Sequence, residues 1–239
     1  LGIGAPGSPS PRTKLMRNAN STCLNGQDLQ QDLEDLLDRP VRMANDANCF
    51  TLSEAVDGAA KDASVVFGVI LGTGTGGGIT VDHKLLQGPN AVTGEWGHNP
   101  LPWPQPEELP GSACYCGKHG CIETFLSGPG LAAEHLRRTG NQLTAEEIAQ
   151  LVEQGDAGAE TTLQIYEDRL ARGMASIINV LDPDVIVLGG GLSKLQRLYE
   201  NVSRRWQQYI FSDVFRTRLL PPAFGDSSGV RGAAWLWRD

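Results

Sequence analysis

His98, Cys114, Cys116 and Cys121 fall close together in this chain, and the types of these four residues point to a metal. Thiolates and a neutral imidazole are the donors a tetrahedral zinc ion takes, and four of them close a structural site. Cys114 and Cys116 are separated by one residue, which disfavours a disulfide between them but lets both turn toward one ion. Gly117 and Gly120 supply the backbone freedom a tight metal knuckle needs. A disulfide staple or reduced core cysteines are the bland alternatives. The ligand number, and a chain that does not read as secreted, favour structural zinc. Carboxylates flank the cluster: Glu95 in Gly94-Glu95-Trp96-Gly97-His98, and Glu123 two residues past Cys121. Beside a glycine loop such carboxylates can accept sugar hydroxyls, and His98 could bind zinc through one nitrogen and offer the other to a ligand. Support of the metal site, or plain solvation, is the competing explanation for both glutamates.

Two glycine runs suggest where an anion would sit. Residues 72–78 read Gly-Thr-Gly-Thr-Gly-Gly-Gly after an apolar stretch, so backbone amides and the Thr73 and Thr75 hydroxyls could cradle phosphate. No Gly-Lys-Ser/Thr closes the run and a strand is expected to follow it, so it is not a P-loop. A flexible hairpin turn is the simpler reading, but five glycines in seven residues exceed what a turn needs. Gly189-Gly190-Gly191, after a second buried strand, is a weaker signal that close helix packing explains equally well. Asn45-Asp46 stands at a strand-to-helix junction. Both residue types cap helices well, and Asp46 could equally be a general base at the tip of a strand.

The elements that must position these groups follow from periodicity. Residues 28–39 carry leucines at helical spacing before Pro40; 41–44 form a short strand; a helix opens at Asn45-Asp46 and ends at Asp57-Gly58. Residues 65–71 form a strand buried on both faces and 79–81 its returning partner. The proline-rich stretch 100–110 is expected to wrap the metal site. Helices then dominate: Gly128-Pro129-Gly130 separates two of them, Thr144 with Glu147 makes a capping box, and 157–181 is the longest periodic segment. A strand at 184–188, a helix over 193–209, a short strand near 217–220 and a final helix from Ser227 complete an α/β pattern with mixed strand pairing. Hydrophobic content of 40% over 239 residues allows a substantial core, and the net charge of −8 argues against nucleic-acid or membrane surfaces. With no membrane-length apolar run, no secretory signal and five cysteines, a cytoplasmic protein is expected.

Taken together, Gly94-Glu95-x-Gly97-His98 and Cys114-x-Cys116-Gly117-x-x-Gly120-Cys121-x-Glu123 resemble the signature of the ROK family (repressors, open reading frames, kinases). The resemblance covers essentially the whole chain. Within the family, segments 18–22, 45–49, 53–60, 94–103 and 225–237 look like the bacterial fructokinases that also accept mannose. The resemblance implies the actin-like, hexokinase-type ATPase fold (ribonuclease H-like), with two α/β lobes closing over a nucleotide cleft. It implies Asp46 as catalytic base and Asn45, Glu95, His98 and Glu123 as sugar ligands. Gly72, Thr73 and Gly74 would meet the ATP phosphates, Gly189, Gly190 and Gly191 would border the adenosine, and zinc on His98, Cys114, Cys116 and Cys121 would be structural.

The expected reaction is ATP- and Mg²⁺-dependent phosphorylation of a hexose, fructose to fructose 6-phosphate, in a homodimer formed through the helical carboxy-terminal region. Residues 1–44 would then be a remnant of the amino-terminal lobe, and 45–239 the second lobe with its zinc loop over 94–123. The family's opening Asp-x-Gly-Gly-Thr strand has no counterpart here, and the chain begins at Leu1 inside an apparent strand. A missing amino-terminal piece, weak ATP binding and little kinase activity are expected from that. The rival expectations are a sugar-responsive transcriptional regulator module or an impaired fragment.

Overall fold

The computed structural model describes residues 1–238. Its first strand, β1 (Gly2–Ala5), pairs parallel with β4 (Arg42–Asn45), and Ala5 lies opposite Asn45. Between them come a small antiparallel ribbon, β2 (Ser8–Pro9) with β3 (Met16–Arg17), and helix α1 (Leu29–Leu37). Asp28 caps α1 by accepting from the Gln31 amide, and no α1 residue is fully buried. Its leucine stripe is therefore only half used: Leu36 is 79% exposed.

β4 delivers the chain into α2 (Asp46–Val56), the most enclosed helix of this half. α2 lies between the β1–β4 pair with the last helix, α8 (Ser228–Trp235), and a five-stranded sheet. That sheet has the order β7-β6-β5-β8-β9: β5 (Val65–Leu71), β6 (Thr75–Val81), β7 (Lys84–Leu85), β8 (Val185–Gly189) and β9 (Arg218–Leu220). β5 is central, antiparallel to β6 and parallel to β8. Alternate residues serve opposite faces: Val66, Val185 and Val187 pack with Phe50 and Ala55 of α2, while Phe67, Val69, Leu71, Ile186 and Leu188 face the helical layer. Burial on both faces explains why these strands read as unbroken apolar runs.

The glycine run resolves into two parts with different jobs. Only Gly72-Thr73-Gly74 forms the turn; Gly76, Gly77 and Gly78 lie inside β6. A Cβ at Gly78, or at Gly68 across the ladder, would collide with Thr51, so glycine here lets α2 lie directly on the sheet. The surplus of glycines over a turn's needs is a packing requirement.

The helical layer contains α3 (Glu123–Leu126), α4 (Gly128–Thr139), α5 (Ala145–Glu153), α6 (Ala157–Leu181) and α7 (Arg197–Arg205). α6 runs over the expected span, capped by Asp156 and ended by Asp182 in the left-handed conformation. Leu163, Tyr166, Leu170 and Met174 put its apolar stripe against Leu126, Leu131 and the sheet. Two expectations are corrected. Ser127, not Gly128-Pro129-Gly130, breaks α3 from α4; Gly128 and Pro129 form the first turn of α4, where a missing amide hydrogen costs nothing. The helix expected over 193–209 is a 3₁₀ turn (Gly191–Lys194), α7 and a second 3₁₀ turn (Trp206–Gln208). Thr144 and Glu147 form the expected capping box. No helix among the described residues is long and apolar enough to cross a membrane.

The proline-rich stretch does flank the cysteine knuckle, through a bridge pairing Pro100 with Cys121, and a second bridge, Ala113 with His119, lies within the knuckle itself. Its anchor, however, is an ion network on α6. Buried Glu108 accepts from Arg169 at 2.7 Å and from both terminal nitrogens of Arg172 at 2.8 Å, and Arg169 also reaches Glu134 at 3.2 Å. Burial alone would raise the Glu108 carboxyl, but the hydrogen bonds from Arg172 and Arg169 outweigh it and hold it at about 2.

Candidate active site and metal centre

Cys116 Sγ lies 3.6 Å from Cys121 Sγ, and Cys114 Sγ lies 3.5 Å from His98 Nδ1. The four donor atoms are all within 4.8 Å of one another. A tetrahedral zinc with Zn–S near 2.3 Å and Zn–N near 2.0 Å spaces its donors by ~3.5–3.8 Å, so the cluster fits that ion. The five cysteines are all unpaired, which removes the disulfide alternative. Cys116→Ser is expected to reduce bound zinc at least ~10-fold and to weaken sugar binding with it, because the ion orients His98. Metal analysis and calorimetry on one preparation read both effects, and full sugar affinity in zinc-free protein would break the coupling.

The knuckle forms one wall of a cavity of about 280 Å³. Trp96 fixes that wall: its indole donates to Gly76 O at 3.0 Å and packs edge-on against Phe67, so the 3₁₀ turn Trp96–His98 presents Glu95 and His98 to the cavity. Glu123, at the start of α3, accepts from the Thr75 amide at 2.9 Å, which ties the metal loop to β6 and leaves its second oxygen free for a ligand. Asp46 and Asn45 stand on the same cavity at the amino terminus of α2.

Asn45 is the helix cap as well as a lining residue. Its Oδ1 accepts from the Ala47 amide at 2.9 Å, and its Nδ2 donates to Gly7 O at 3.2 Å. Much of its amide is therefore committed to structure. Asp46 Oδ1 accepts from the same Ala47 amide at 2.8 Å. The carboxylate opens to the cavity, yet protein on its other sides removes enough water to raise its pKa above the ordinary aspartate range. Burial raises Glu95 in the same way; His98 draws it back down, and the charges of Glu123 and Asp46 push it up. A cavity lined by three carboxylates suits a neutral polyhydroxylated ligand and repels an anionic one.

Gly72 and Thr73 line this cavity and also a second, larger one of about 1100 Å³. The second cavity is bounded by the amino-terminal ends of α4 and α5, by Ala132, Leu136 and Leu143, and by Gly191, Leu192 and Leu195. Gly72-Thr73 is thus the border the two share, while Gly74 borders only the smaller. Of the second glycine run only Gly191 lines a cavity. Gly189 is buried in β8 against Phe50, and Gly190, at φ +81°, packs on the Leu71 carbonyl, where a Cβ would clash.

The cavity also holds residues outside the expected sugar-ligand set. Thr75 has a buried hydroxyl without a partner, Asn18 and Asn20 approach from the loop after β3, and Tyr115 projects in from between two metal cysteines. The expectation that His98 offers a free nitrogen to ligand is modified, since its Nε2 lies 2.9 Å from the Tyr115 hydroxyl. Nothing in sequence spacing fixes which way Tyr115 points.

A sequence model of the ROK family matches residues 1–239. The chain is 40% identical to an N-acetyl-D-glucosamine kinase of Escherichia coli over 99% of its own length and 79% of that protein. Among solved structures it is similar to a ROK hexokinase from Thermus thermophilus, with TM-score 0.85 and 29% identity over 99% of this chain and 77% of that one. A ROK glucokinase from Streptomyces griseus, solved with glucose and AMPPNP, superposes with TM-score 0.83 at 27% identity, over 98% of this chain and 80% of that one. These structures bear out the α/β hexokinase-type fold. The narrower resemblance to fructokinases is not supported: the curated relative at 40% identity is named for N-acetyl-D-glucosamine. Glu95, His98 and Glu123, expected as sugar ligands, would meet hydroxyls common to many hexoses, so the motif residues carried no information on that choice. With a family match over all its residues and relatives covering nearly its full length, the chain belongs to the ROK family.

Proposed function

We propose that the protein phosphorylates a hydroxyl of N-acetyl-D-glucosamine at the expense of ATP, with Asp46 as general base. The observation that carries this reading is the opposition of Asp46 to Glu95, His98 and Glu123 across one cavity, joined at Gly72-Thr73 to a second, less acidic one. Magnesium-bound ATP, when present, supplies the electrophilic phosphorus and balances the charge of transfer. Glu95 and Glu123 accept hydroxyl protons of the sugar and orient its ring. Asp46 takes the proton of the attacking hydroxyl, and its raised pKa makes it a stronger acceptor than an exposed aspartate. Thr73 offers a backbone amide and a hydroxyl where the two cavities share a border, while Gly72, its amide on Gly74 O and its carbonyl on the Gly128 amide, holds the turn in place.

The kinship to an N-acetyl-D-glucosamine kinase supports the choice of sugar. The AMPPNP bound by the Streptomyces griseus relative supports the choice of phosphoryl donor. Calorimetric affinities and coupled ADP release measured for N-acetyl-D-glucosamine, fructose, mannose and glucose should rank the acetylated sugar first by at least ~10-fold, about 1.4 kcal/mol. Preference for fructose would return the specificity to the fructokinase group, and failure to bind any hexose would remove the sugar pocket.

A further inference from the structure

Tyr115 has no part in the metal centre or in the proposed chemistry. It lies between two cysteines of the metal cluster, yet its side chain leaves the thiols and enters the smaller cavity. Its hydroxyl is 2.9 Å from His98 Nε2, and its ring stands edge-on to the imidazole at 5.0 Å and 89°. Nδ1 of the same imidazole faces the cysteine cluster, 3.5 Å from Cys114 Sγ. A neutral imidazole that gives Nδ1 to a metal carries its proton on Nε2. That N–H is the single donor His98 has for the cavity, and the Tyr115 oxygen accepts it.

We propose that Tyr115 is a built-in stand-in for the sugar: its hydroxyl occupies the His98 donor in the empty site, and substrate gains that donor only by displacing it. The proposal rests on the sugar-pocket reading above and adds a specificity element to it. A sugar that sets an acceptor oxygen against Nε2 recovers the hydrogen bond broken by displacing Tyr115. One that sets none there must leave the tyrosine in place and share the cavity with it. A phenol with the ordinary tyrosine pKa of ~10 stays protonated throughout the neutral range. Displacement is easy: Tyr115 is 70% exposed, and its only side-chain hydrogen bond among the described residues is the one to His98. Two residues on, Gly117 adopts φ +85° with open space around it, so the knuckle's tip has room to move.

Titration calorimetry with N-acetyl-D-glucosamine and no nucleotide tests this on the parent chain, Tyr115→Phe and Tyr115→Ala, each with its zinc content measured. Phenylalanine keeps the ring against His98 and removes only the competing oxygen. Its dissociation constant is expected to fall ~3-fold, in the range of one net hydrogen bond. The alanine variant should tighten at least as much. Sugar binding should also perturb tyrosine absorbance in the parent, and that difference band should be absent from Tyr115→Phe. Weaker binding by Tyr115→Phe would make the hydroxyl a sugar contact, and equal binding would make Tyr115 a bystander; either result overturns the proposal. If the parent binds the sugar, such a failure leaves the pocket reading intact, whereas a parent that binds no hexose overturns both.

Discussion

Asp46→Asn is expected to cut turnover by ~10²–10⁴, the usual contribution of a positioned general base. Asparagine preserves the shape at the amino terminus of α2 and can still accept from the Ala47 amide, the contact Asp46 makes at 2.8 Å. The loss should therefore appear in turnover and not in folding. The pH dependence gives a second readout. The base acts as carboxylate, and burial raises its pKa. The acid limb of kcat/KM in the parent should consequently lie above the ~3.9 of a free aspartate. Stability moves the opposite way. A carboxyl whose folded pKa exceeds its unfolded value favours the fold while protonated, and that contribution is lost as pH rises through the interval between the two. At neutral pH the asparagine variant should melt no lower than the parent. Near-parental turnover, or an acid limb at the free-aspartate position, would remove Asp46 from the base role.

Glu108→Ala is expected to be the most destabilising single change on the metal-loop side of the molecule. Glu108 is 6% exposed, Arg169 4% and Arg172 1%, so deleting the carboxylate removes the counter-ion the two buried guanidinium groups share and leaves Arg169 with Glu134 and Arg172 with Asp168 and the Pro102 and Trp103 carbonyls. Breaking a buried ion pair by removing one partner costs ~3–5 kcal/mol. For a chain of this size that corresponds to a melting temperature lower by roughly 6–20 °C. The carboxyl titrates at about 2 in the fold against ~4.3 when unfolded. Its contribution is thus complete above the unfolded value and fades as pH falls from there toward about 2. The gap between parent and variant should be constant at neutral pH and narrow below pH ~4.3. A pH-independent gap, or a loss under ~1 kcal/mol, would show that the arginines find water or other partners once the carboxylate is gone.

Much of the site could be read without coordinates because its signals are local. The knuckle's four donors lie within one loop region, and the bridge between Pro100 and Cys121 helps bring them to within 4.8 Å of one another. The strand-to-helix junction places Asn45 and Asp46 at the head of α2, where the capping and pocket roles coexist. The 3.6-residue period of α6 and the unbroken apolar run of β5 gave both elements at once. Errors came where a local pattern had two physical causes. Glycine serves a phosphate cradle and a close helix–sheet contact equally well, so Gly76, Gly77, Gly78, Gly189 and Gly190 could not be sorted until their neighbours were known.

By itself, the sequence determined the family, the candidate metal ligand set, the α/β layering and the acid lining of the proposed sugar pocket, since each is written in residue type and short-range spacing. Only the tertiary structure decided three further matters. It paired Glu108 with arginines 61 and 64 residues away, made Gly72-Thr73 the shared border of two cavities, and turned Tyr115 onto the second nitrogen of His98. The physical reason is common to all three: long-range partners and side-chain directions are selected by packing and by hydrogen-bond competition, which no periodicity in the chain encodes.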